Sequence, residues 1–95
     1  MATKKGTSKN QFVVGDAVFI CTVTNFYTGK IVSISPTEIG LDEAAWIADT
    51  GRFADAMKSG NFSEIEPFPN GLVAVNRAAV ICMVKWPHPL PRTQK

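Results

Sequence analysis

One histidine and two cysteines in 95 residues leave this chain few of the groups that catalysis or metal binding needs. His88 stands between Pro87 and Pro89, with no carboxylate or thiol at ligand spacing beside it, so a packed or exposed tail residue is expected there. A lone imidazole removes most general acid–base designs. The spacing supports no Ser/His/Asp or Cys/His arrangement, no phosphate-cradling glycine loop and no metal cluster. The expectation is a non-enzymatic protein with no catalytic residues, no metal and no cofactor. Cys21 and Cys82 both lie in apolar runs, where they read as buried free thiols suited to a reducing compartment.

Long apolar stretches are missing as well. No run approaches the ~20 residues of a membrane span, and the first ten residues contain no apolar core of a signal peptide. A soluble, cytoplasmic protein with no membrane partner is expected. A chain of this length buries only about 60–65% of its unfolded surface, so its core is marginal without reinforcement. With disulfides and metals set aside, oligomerisation is the reinforcement that remains.

The net charge of +2 is unevenly placed. Lys4, Lys5 and Lys9 make the first ten residues +3, and Arg92 and Lys95 make the last five +2, whereas residues 11–90 balance to −3. A surface that gripped phosphates everywhere would be basic throughout. Any nucleic-acid contact must therefore be local, at a pore, a loop or the tails.

Along the chain, residues 1–12 read as a flexible basic arm, 13–86 as one domain and 87–95 as a proline-rich tail. Ala17–Thr24 reads as a strand with apolar residues on both faces, which requires a cover on its outer side. Tyr27–Ser35 alternates and contains Gly29, a mark of a bend or of close backbone approach. Pro36 sets the next turn, and Glu38–Leu41 is a short third strand. The twofold alternation is lost after Asp42, so a helical insertion is expected over about 43–61. Its helix, capped by Asp49 or Thr50 and stopped by Gly60, would carry Phe53 and Met57 on one face with Trp46 and Ile47 beneath. These groups read as core rather than as a ligand cage. An extended segment, 62–68, leads through the Asn70–Gly71 turn to a fourth strand, 72–75. The minimal turn Asn76–Arg77–Ala78 joins it to a fifth, 79–85. Three prolines in Trp86–Pro91 end the ladder and predict an extended tail. The fold class expected is mainly β: a small, strongly bent, five-stranded open barrel with a short helical insertion.

Two motifs carry a family resemblance. The first is Tyr27-Thr-Gly29-Lys-Ile31, then Ile34, Ile39 and Leu41-Asp-Glu-Ala44. The second is Val73-Ala-Val75-Asn76-Arg77-Ala78-Ala-Val80-Ile81. In order and spacing they resemble the Sm-like family of Sm, LSm and Hfq proteins, whose barrel is SH3-like. The insertion and the Trp86–Pro91 ending are similar to a phage-associated branch of that family. The resemblance implies a homo-oligomeric ring, pentamer to heptamer, closed by pairing the fourth strand of one subunit with the fifth of the next. It also implies that single-stranded RNA binds at the pore, with Asn76 and Arg77 at the matching turn. Where the family places an acidic residue and an Asn after the second strand, this chain has Ser35-Pro36, and Thr37 and Glu38 are the nearest polar substitutes. Arg77 is open to two readings, a nucleic-acid contact or a bond at the subunit interface. An adaptor ring that docks a protein through the insertion is the alternative function.

Overall fold

The computed structural model describes residues 11–95. They form one antiparallel sheet of six strands that does not close on itself. The strands are β1 (Ala17–Thr22), β2 (Phe26–Ile34), β3 (Glu38–Asp49), β4 (Glu64–Pro67), β5 (Val73–Asn76) and β6 (Val80–Lys85). A single helix, α1 (Phe53–Ser59), lies between β3 and β4, and a 3-10 turn, Arg77–Ala79, joins β5 to β6. The strand order is β4-β3-β2-β1-β6, with β5 pairing the first half of β3 and β4 its second half.

Five strands are expected from the sequence and six are found. The additional strand is β4, which lies within the segment expected to be merely extended. Residues 43–49 belong to β3 rather than to a helical insertion, and only Phe53–Ser59 is helical. The reason is a change of side along β3. Ile39, Leu41 and Ala44 pack into one apolar layer, whereas Ala45 and Ile47 pack into another. The β2–β3 register shifts between Lys30↔Asp42 and Thr28↔Ala45, so β3 carries one extra residue there. Glu43, at φ +52°, is the kink. The alternation expected of a strand is broken by this bulge, not by a helix.

The two layers lie on opposite faces of the sheet, because β1 contributes Val18 and Ile20 to one and Phe19 and Cys21 to the other. The inner layer adds Ile31, Ile39, Leu41 and Val75. The outer layer is the cover that the two-sided apolarity of β1 requires. It is built from Phe62, Ile65, Ala56 of α1 and Trp86. Phe19 is its centre: its ring stacks on Phe26 at 5.5 Å, Trp86 at 5.6 Å and Phe62 at 5.8 Å. Ile47 is buried there as expected, but Trp46 points away and is 40% exposed. Gly29 has the expected close approach, since a Cβ on it would lie 3.0 Å from Leu41 Cβ.

Helix α1 is short and its start differs from expectation. Arg52 is the N-cap residue and makes no side-chain cap, while Asp49 Oδ1 instead accepts from Gly51 N at 2.8 Å. Its end is as expected: Gly60, at φ +80°, donates its N–H to Ala56 O. The tail crosses this helix end. His88 Nε2 lies 2.8 Å from Met57 O, and the His88 ring meets Trp86 edge-on. A Cβ on Gly60 would fall 2.6 Å from His88 Cγ. Gly60→Ala is therefore expected to destabilise the fold by about 1–3 kcal/mol through left-handed strain alone, with further loss if His88 is displaced. A thermal melt of the variant against the parent measures it.

The remaining tail follows the outside of the sheet. Gln94 Nε2 reaches the Glu66 carboxylate, and Lys95 exchanges both backbone hydrogen bonds with Ile65 of β4 at 2.8 and 3.0 Å. Arg92 pairs with Glu43 at the β3 kink. The expected arm at 1–12 falls mostly outside the described residues, but Phe12 belongs to the domain: it packs on the inner layer, with Lys85 Nζ 5.8 Å from its ring centre. Among the described residues, no helix is long and apolar enough to cross a membrane.

Candidate functional site

The four residues singled out in the sequence, Thr37, Glu38, Asn76 and Arg77, meet at one corner of the sheet. The β2–β3 turn brings the first two. Pro36 pre-sets that turn, Ser35 N donates to Glu38 O at 2.9 Å, and Ser35 Oγ accepts from Glu38 N at 3.0 Å and Thr37 N at 3.3 Å. The 3-10 turn brings the other two. Asn76 Oδ1 accepts from Ala78 N at 2.9 Å, capping the turn and leaving its Nδ2 amide outside that bond.

Sheet pairing locks the turns together. Glu38 is opposite Asn76 in the β3–β5 ladder, and Arg77 N donates to Thr37 O at 2.9 Å. Arg77 Nη1 then donates to Ser35 O at 2.6 Å. This bond holds an exposed guanidinium in place across the corner, with most of its five N–H donors still directed elsewhere. Arg77 makes no ion pair among the described residues. A positioned, unpaired cation with a planar donor fork suits phosphate or a base edge. Ser35, which stands where the resemblance would place an acidic side chain, contributes structure: its carbonyl fixes Arg77 and its hydroxyl fixes the turn.

Beside this corner lies an open depression of about 220 Å³. Asn76 and Ala79 line one side, and Thr22, Thr24, Asn25 and Tyr27 the other. Asn25 Nδ2 donates to Tyr27 Oη at 3.2 Å, so an amide and an aromatic edge are held together. Asn25 and Tyr27 were not singled out as site residues in the sequence. Tyr27 reads there as the aromatic position of a strand motif, and nothing in the spacing places it near Asn76.

Among the described residues, no group of three or more His, Cys, Asp or Glu is placed to hold a metal ion. The β5 and β6 strands each leave one backbone edge unpaired, and apolar side chains stand on or beside them: Leu72, Ile81 and Val84 are all exposed. Comparison of the chain with protein-family models, with curated proteins and with solved structures finds no match.

Proposed function

We propose that this chain is a non-enzymatic, ring-forming protein of the Sm-like type that binds single-stranded RNA where the β2–β3 and β5–β6 turns meet. The observation that carries the reading is the guanidinium of Arg77, pinned to Ser35 O beside Asn76 and the Tyr27 depression. Single-stranded RNA offers phosphates to such a fork and unstacked bases to an aromatic and amide-lined hollow. Ring closure would repeat the corner around a pore and multiply a contact that is weak in one copy. The two unpaired edges support closure: β5 of one copy pairing with β6 of the next hides both, through a heterologous contact that closes cyclically.

The acidic balance of the body is compatible with this reading because the contact is local. Fluorescence anisotropy with short U-rich and A-rich RNAs at low salt tests it. Arg77→Ala is expected to weaken binding about tenfold or more, the worth of a charge-assisted hydrogen bond. Absence of binding at low salt, or binding indifferent to Arg77→Ala, would overturn the RNA reading. That outcome favours the second reading, an adaptor ring that docks a protein through the insertion, for which the observation is Phe53, 47% exposed on α1.

A further inference from the structure

Both cysteines are expected to be buried, yet only Cys21 is; Cys82 is exposed on the outermost strand, β6. They are partners. Cys21 of β1 stands directly opposite Cys82 in the β1–β6 ladder. Opposed residues of an antiparallel pair send their side chains to the same face, so the two thiols stand side by side on the face that carries the outer layer. Trp86 N donates to Ala17 O at 2.8 Å, which sets the alternation of the ladder and makes Cys21–Cys82 a hydrogen-bonded pair. Cα atoms in such a pair are about 5.5 Å apart, inside the range a disulfide spans.

We propose that Cys21 and Cys82 form a reversible dithiol–disulfide site whose oxidant is a small-molecule disulfide of the glutathione type. Cys82, the exposed thiol, reacts first. Its thiolate attacks one sulfur of the oxidant, forming a mixed disulfide and releasing one reduced glutathione, which takes up the Cys82 proton. Cys21 then attacks the Cys82 sulfur, closing the internal disulfide and releasing the second glutathione with the Cys21 proton. Two electrons pass from the cysteine pair to the oxidant.

Burial of Cys21 pushes its thiol up to about 12, aided by the hydrogen bond and charge of Cys82. The second step is therefore the slow one, since the thiolate is the nucleophile. A hydrogen-bonded pair also holds its Cβ atoms farther apart than a relaxed disulfide does, about 5 Å against 3.8 Å. Closing the bond must draw β6 toward β1. The register break next to the pair, between Cys21 and Thr22, is where the ladder gives. A bond closed under such strain is readily reduced, which makes the pair a switch rather than a staple.

The inference stands independently of RNA binding and of the ring. The test is intact-mass measurement of the folded full chain after equilibration in glutathione buffers of increasing oxidation, with alkylation of remaining thiols. The expected result is loss of two hydrogens, protection of both cysteines from alkylation, and full reversal by dithiothreitol. Cys21→Ser is expected to hold a single glutathionyl adduct at residue 82, and Cys82→Ser none. A parent chain that stays fully alkylatable in the most oxidising buffer would overturn the proposal. So would one that stops at the adduct or links to a second chain.

Discussion

Phe19→Ala is expected to remove about 3–5 kcal/mol of stability, the largest effect of any single truncation in this chain. The ring is fully buried, and Phe26, Phe62 and Trp86 all stack against it, with Phe53 meeting it edge-on at 6.1 Å. These partners come from β2, α1, the segment before β4 and the start of the tail. The cavity left by alanine would thus open at the junction of four segments, none of which can close it by moving alone. Small domains have about 5–15 kcal/mol in all, so the variant should melt far below the parent. Denaturant unfolding with an unchanged m-value measures the loss; a change under about 1 kcal/mol would mean that the outer layer repacks freely.

Ile81→Lys combined with Val84→Lys is expected to convert the proposed ring to monomers without unfolding the chain. Both side chains stand on β6, the strand that pairs β1 on one edge and leaves the other free, and they are 68% and 40% exposed, so the folded protomer loses little by the change. Lysines on a free edge repel an incoming strand and desolvate badly against one. Native mass spectrometry of parent and double variant, each with and without nuclease, counts the subunits and detects any bound RNA in the same spectra. A parent that is monomeric at micromolar concentration would overturn ring closure, whatever the variant does.

Much of this architecture can be read from residue order. Strands β1, β2, β5 and β6 follow from apolar alternation and from the turn residues Pro36, Asn70 and Gly71. The demand of β1 for an outer cover is met by Phe62 and Trp86. The second half of β3 is not legible in this way. A strand that serves one core on each side must change parity at the crossing, and at Asp42–Ala45 the resulting pattern is neither twofold nor helical. β4 is hidden for a related reason, because its pairing with Ala45–Asp49 depends on a strand that the pattern conceals. For the candidate site, Arg77 and Asn76 are visible in their motif, and Thr37 and Glu38 as the nearest polar groups of a turn. What no motif displays is the bond from Arg77 to Ser35, separated by 42 residues. Nor does spacing reveal that Cys21 and Cys82 share a rung, since that depends on which strand lies beside β1.

The tail's clasp on β4 bears on how many directions a sheet of this kind can grow. Lys95 occupies the backbone groups of Ile65, and Pro67 lacks the N–H that a ladder would use. With that margin taken, the unpaired edges among the described residues are those of β5 and β6, which would make each protomer of the proposed ring divalent. Divalent units build closed circles or linear fibres but cannot branch, and curvature decides between the two. In the proposed ring, the hold of Lys95 on Ile65 would thereby keep assembly from branching into a network.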